Sequence, residues 1–271
     1  MRAPDRRDAL VLLTLLVPYA LCVRAWWFVC DDAFITWRYS RHVALGFGPR
    51  YNLTDELPVE GYSDFLWMLV GAAFEALSIE PRLAVPWVSA ACGAWLVVWV
   101  WSFLRARVAP LAAALGAALM ALSPPFFVWS TSGLETMAQV LLLWATWALL
   151  LHGDDERDAS LAGIAALGLA LVRTEGIGWA LVLAVLAAAL RLWQGRSLRP
   201  LLRFALLLGV PFALYFAWRA SYYDSWVSNT AKAKVHLGPE TLQRGLLYLA
   251  LFATTLLNPL LALPALPAAL R

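Results

Sequence analysis

The amino-acid sequence predicts an all-α polytopic membrane protein, and three observations carry that prediction. Apolar residues make up 62% of the chain and charged residues 14%, with a mean hydropathy of +0.69; an ordinary soluble domain is about one quarter charged. The apolar residues fall in continuous runs rather than alternating, which points to helices and away from a β-barrel. The polar residues gather in short segments between those runs. The formal net charge of +3 says little alone, because membrane proteins encode orientation in where Lys and Arg stand. Fifteen Trp residues fit rings at bilayer interfaces or along a groove.

Taken in order, the apolar runs are 9–29, 65–79, 83–104, 108–129, 136–152, 160–172, 176–193, 202–219 and 241–260. The first is longer than a signal-peptide core and no small-x-small cleavage site follows it, so it reads as a retained span. The run 65–79 is short of the roughly 20 residues needed to cross and carries Asp64 and Glu75 at its ends. If it crossed, Arg105/Arg107 and the Arg191–Arg203 cluster would fall on the outside, against the positive-inside rule. Read as an interfacial or re-entrant helix, it leaves eight spans. Arg2, Arg6, Arg7, Arg105, Arg107, Arg157 and the Arg191–Arg203 cluster then all lie inside. Two outer loops result, 30–82 and 220–240, within one transmembrane domain, 1–271.

The outer segments hold the candidate chemistry. Asp31 and Asp32 follow the first span. A carboxylate at the membrane–water boundary can serve as a base towards a substrate at head-group level, and partial burial would make it a better one. The alternatives are a solvated pair at a helix end or an N-cap for a helix starting near Ala33. The stretch AFITWRYSRHVAL has helical periodicity, with Phe34, Trp37 and Val43 or Ala44 towards the bilayer and Arg38 and Arg41 on another face, as phosphate ligands or as interfacial anchors. The glycines of GFG, Gly46 and Gly48, end that helix. PVEGYSDFLW returns Glu60 and Tyr62 to the membrane. TSGLET puts Glu135 at the start of a span, where it also complements the helix dipole. RTEG sets Arg173 and Glu175 between two apolar halves, as a site or a structural ion pair. SNTAKAK adds Asn229, Lys232 and Lys234, which can meet a phosphate or sit among lipid head groups.

Much is missing by pattern. No Walker loop, GxGxxG, HExxH or Ser-His-Asp signature occurs, and three histidines are too few for a histidine-rich metal site. Cys22, Cys30 and Cys92 lack metal or redox spacing and read as unpaired residues in or beside apolar helices. Asp31 and Asp32 can hold a divalent cation, but spacing fixes no further acidic ligand.

In order along the chain, DDAFITWRYSRHVALGFGPRYN, PVEGYSDFLW, SGLET, LVRTEG and SNTAKAK resemble integral-membrane glycosyltransferases of the GT-C fold class. The nearest likeness is to the terminal arabinofuranosyltransferase-like group. The protein mannosyltransferase and lipid A aminoarabinose transferase families are more distant. The resemblance covers about residues 9–240; its DDAFI…VEGY pair is the specific part. It implies a GT-C-like helical bundle whose long first outer loop bears amphipathic juxtamembrane helices. It also implies an enzyme of the outer face of the cell membrane that takes a sugar from a polyprenyl-phosphate donor and gives it to a hydroxyl of a glycan, lipid or protein. Asp31 or Asp32 would be the base. Glu60, Tyr62, Glu135, Glu175 and Asn229 would meet substrate, and Arg38, Arg41, Arg173, Lys232 and Lys234 the donor phosphate. Thr174 and Ser228 stand where that group has Pro, and its members continue with further spans. The competing functions are a lipid-linked sugar transporter or flippase and a truncated non-catalytic subunit. A transporter needs ionisable residues along a through-path, whereas here they gather on one face. No feature points to nucleic acid.

Overall fold

The computed structural model describes residues 6–153, 156–227, 229 and 238–255, and those residues form helices joined by turns, with no strand among them. The chain divides into two units, Met1–Ser228 and Asn229–Arg271. The first holds α1 (Arg6–Ala25), α2 (Asp32–Ala44), α3 (Phe65–Ala76), α4 (Pro81–Arg105), α5 (Pro110–Ala121), α6 (Pro124–Trp129), α7 (Thr136–His152), α8 (Glu156–Val172), α9 (Gly176–Trp193) and α10 (Arg199–Tyr222). The second contributes α11 (Pro239–Thr255).

Among the described residues four helices, α1, α4, α9 and α10, are long and apolar enough to cross a membrane. The protein is therefore an all-α chain with membrane-spanning character. The helices α7, α8 and α11 have 17 residues each, at the short end of the spanning range. Helix α3 has 12 residues, about 18 Å at 1.5 Å per residue against a core of about 30 Å.

Two apolar clusters share α7. Leu15, Tyr19, Leu96, Val97 and Ala117 centre one among α1, α4, α5 and α6; Ala162, Ala166, Leu183, Phe204 and Leu208 centre the other among α8, α9 and α10. The buried alanines of α8 let α7, α9 and α10 approach it closely, as small residues do between membrane helices. Helices α2 and α3 pack on each other, and a third cluster joins Ala33, Trp37 and Trp67 to Val85 of α4 and Ala138 of α7.

Two expected spans are corrected. The run 108–129 is not one helix: Pro124 and Pro125 restart the chain as α6 after α5 ends at Ala121, because a proline cannot continue the preceding helix. The first span ends at Ala25 rather than at residue 29. Residues beyond it take an extended path, and tertiary bonds hold them there. Phe28 N donates to Thr131 Oγ1 (3.4 Å) and Cys30 N to the Ser132 carbonyl (2.8 Å). The expected helix over Ala33–Leu45 is α2, and Gly46 and Gly48 beyond its end take positive φ of 84° and 75°, which glycine adopts without strain.

Candidate active site

Three of the acids that stand at helix starts form a cluster. Asp64, Glu135 and Glu175 are the N-cap residues of α3, α7 and α9, yet none caps its own helix through its side chain. An N-cap carboxylate ordinarily folds back on its own backbone N–H groups. Here the Glu135 and Glu175 carboxylates turn to a shared Arg173, which donates from Nη1 to Glu135 Oε1 and from Nε to Glu175 Oε1. Gln139 Nε2 also reaches Glu175 Oε1 at 3.5 Å. The Thr36 hydroxyl lies 2.9 and 3.1 Å from the two oxygens of Asp64 and donates to that carboxylate. Asp64 and Glu135 are 4% and 3% exposed.

The electrostatics follow from that burial. Desolvation raises the Asp64 pKa to about 7, with the Glu135 charge adding to the rise, while the Thr36 hydrogen bond and Arg173 oppose it. One guanidinium thus stands among three carboxylates, a surplus of acid that suits the hydroxyl groups of a polar ligand.

A short turn assembles the cluster. Ser130, Thr131, Ser132 and Glu135 are all buried, and Gly133 sits at φ +82°. A Cβ at Gly133 would lie 2.9 Å from the Trp37 ring and 3.0 Å from the Ala33 Cβ, so only glycine lets the turn reach α2. Trp67 Nε1 donates to the Gly133 carbonyl at 2.9 Å. The same turn receives Cys30 N, which brings the start of α2 beside it.

Asp31 and Asp32 stand exposed at that start but differ in their commitments. Asp31 Oδ1 accepts from Asp32 N (3.0 Å) and Cys30 Sγ (3.4 Å). The Asp32 carboxylate has no hydrogen bond or ion pair among the described residues. It lies four positions before Thr36, which places both on one side of α2. The described residues contain no group of three or more His, Cys, Asp or Glu arranged to hold a metal ion.

The opposite side of α2 lines a groove of about 730 Å³, walled by Phe34, Trp37, Arg38, Arg41 and His42 and, across it, by Glu75, Glu80 and Arg82. This corrects the expected facing of α2: Trp37 is buried at 6% exposure and shares the groove with the arginines, rather than facing the bilayer apart from them. Its Nε1–H has no hydrogen-bond partner among the described residues. Arg38 donates to the Tyr51 carbonyl (2.7 Å) and Asn52 Oδ1 (3.2 Å) and stacks on the Tyr51 ring. Arg41 is exposed.

Glu60 and Tyr62 lie elsewhere. Arg219, 6% exposed, grips both Glu60 oxygens, from Nε at 2.8 Å and from Nη2. Tyr223 donates to Tyr62 Oη (3.1 Å) or to the Pro49 carbonyl (2.9 Å), and Tyr39 donates to the Val59 carbonyl (2.7 Å). Burial pushes the Tyr39 and Tyr62 hydroxyls up, so both stay neutral. Glu60 and Tyr62 therefore pin the loop after α2 to α10 rather than facing the acid cluster. Asn229 is exposed and belongs to the second unit; Lys232 and Lys234 lie outside the described residues.

The sequence singles out Glu135, Arg173 and Glu175 of this cluster as candidates, shows Asp64 only as the end of a short apolar run, and gives no role to Thr36 or Arg219. The available signal for Arg219 was a cation closing the apolar run 202–219, a place where an arginine either reaches out to the interface or meets an acid. Comparison of the chain with protein-family models, with curated proteins and with solved structures finds no match.

Proposed function

We propose that this chain is a multi-pass GT-C-type glycosyltransferase of the cell membrane. It moves a sugar from a polyprenyl-phosphate donor to a hydroxyl of a glycan, lipid or protein at the extracytoplasmic face. The observation that supports this best is the arrangement about α2. Two exposed aspartates stand at its start, a buried acid cluster lies against one side, and an arginine-lined groove runs along the other. Sugar transfer asks for those three features: a base, acceptors for sugar hydroxyls, and positive charge for the departing phosphate.

In the reaction, the Asp31 or Asp32 carboxylate takes the acceptor hydroxyl proton. The acceptor oxygen bonds to the anomeric carbon, and the bond from that carbon to the phosphate oxygen breaks with its electron pair leaving on the phosphate. Asp32 is the better placed, because its carboxylate is unengaged and shares the Thr36–Asp64 side. Arg173 is already held by Glu135 and Glu175, so its part is to position those carboxylates. The phosphate falls to Arg38 and Arg41. A 12-residue α3 supports the topology in which that helix lies at the interface and the outer segments share one face.

The test is sugar transfer from a polyprenyl-phosphate donor by Asp31→Asn and Asp32→Asn variants. Loss of a general base lowers the rate by roughly 10²–10⁴-fold. That loss is expected in Asp32→Asn, with a smaller one in Asp31→Asn. Undiminished transfer by both would refute the assignment.

A further inference from the structure

Between α1 and α4 lies an apolar groove of about 620 Å³, away from the acid cluster and the arginine groove. Leu16, Ala20 and Val23 form its α1 wall and Ala90, Ala91 and Ala94 its α4 wall. Both helices are long enough to cross a membrane, and only 17% of the apolar window of α1 is buried, so the trough opens sideways to the bilayer. At one end stand Trp27 and Trp87, their rings 4.8 Å apart. Paired aromatics of this kind mark head-group level. Beside them is Arg24, the one charged residue lining the groove, exposed and without a hydrogen bond or ion pair among the described residues. The C-terminal dipole of α1 favours a cation there, but it does not account for the trough beneath it.

We propose that this groove is a binding site for an anionic glycerophospholipid, with one acyl chain between α1 and α4 and the phosphate against Arg24. A guanidinium pairs with phosphate through two parallel N–H bonds, and the alanine walls leave room for a chain where larger residues would fill the gap. The occupant is a bulk lipid because the trough faces the bilayer and its cation stands at the interface, where a glycerophospholipid carries its charge. Tyr19, on the groove wall, donates to the Ala90 carbonyl (3.0 Å) or Ser130 Oγ (2.8 Å). Ser130 begins the turn that carries Glu135, so the bound chain lies one hydrogen bond from the acid cluster's support. This binding does not depend on sugar transfer.

The experiment is native mass spectrometry of the purified full chain with phosphatidylglycerol or phosphatidylcholine of matched acyl chains. The chain retains phosphatidylglycerol about fivefold better, the effect of one arginine at an anionic head group. Arg24→Gln lowers retention to the phosphatidylcholine level, and Arg24→Lys keeps most of the preference. Ala91→Phe, on the exposed groove wall, removes adducts of both lipids without changing the melting temperature. The proposal is overturned by equal retention of the two lipids, by an unchanged preference in Arg24→Gln, or by adducts that persist in Ala91→Phe. Displacement of the adduct by inorganic phosphate would make the site a plain anion site and overturn it too. Displacement by an equimolar polyprenyl phosphate would assign the groove to the donor, with the same effect.

Discussion

Arg219 and Arg173 each hold two carboxylate oxygens, but Arg219 takes both from Glu60, while Arg173 takes one from Glu135 and one from Glu175. The first pair is closed. Its side chains are 7% and 5% exposed, and Tyr39, Tyr62 and Tyr223 pack together beside it. Charge is balanced one to one, with no capacity left for a ligand. The second is open: Arg173 is 33% exposed, Glu175 is 47% exposed, and buried Asp64 adds a further carboxylate. The contrast separates two uses of the same chemistry. A balanced, buried pair fixes the path of a loop, and an unbalanced one at the edge of water waits for a proton or a ligand.

The sharpest way to break this contrast is to remove each arginine. Arg219→Leu leaves Glu60 buried without its partner and is expected to cost about 3–5 kcal/mol in unfolding experiments in detergent. The paired variant with Glu60→Leu should recover much of that loss, since replacing both charges removes the desolvation cost. Arg173→Ala is expected to cost less, about 1–2 kcal/mol, because Arg173 and Glu175 are part-exposed and the stranded Glu135 can take up a proton, while sugar transfer falls at least about tenfold. Equal destabilisation by the two single variants, with transfer intact in Arg173→Ala, would erase the distinction.

A smaller effect sharpens it. Burial, with the Glu135 charge beside it, raises the Asp64 carboxyl from its ordinary 3.8 to about 7 in the folded chain. Between those values the folded chain keeps a proton that the unfolded chain releases, so stability falls as pH rises through that window. The melting temperature should therefore drop from about pH 4 to about pH 7. In Asp64→Asn, which keeps an acceptor for Thr36, that slope should flatten. An unchanged slope would place the titration on another group.

Much of the helix pattern was legible in the sequence. The run 176–193 is α9 as observed, and 83–104 is α4 with two residues added at its start and one at its end. These runs are bounded by charge or proline, and composition alone reveals such ends. The early end of α1 was not legible, because it rests on the bonds from Phe28 and Cys30 to a turn about a hundred residues away. The site divides in the same way. Glu135, Arg173 and Glu175 announce themselves as charges breaking apolar stretches. Asp64 looks like an ordinary helix start until Thr36, 28 positions earlier, is seen beside it, and Glu60 meets Arg219 across 159 positions. No local spacing encodes partners that far apart.

The turn Ser130–Glu135 has a consequence for how the sequence can change. Within six residues it bonds to α1 through Tyr19, to the start of α2 through Cys30, to α3 through Trp67 and to the α8–α9 corner through Arg173. Adding or deleting one residue there would put four joints out of register at once. The stretch Leu53–Leu57 after α2, largely exposed, has far fewer such ties. Length variation among descendants of this chain should therefore collect in that loop, while the turn stays fixed in length even where its residues drift.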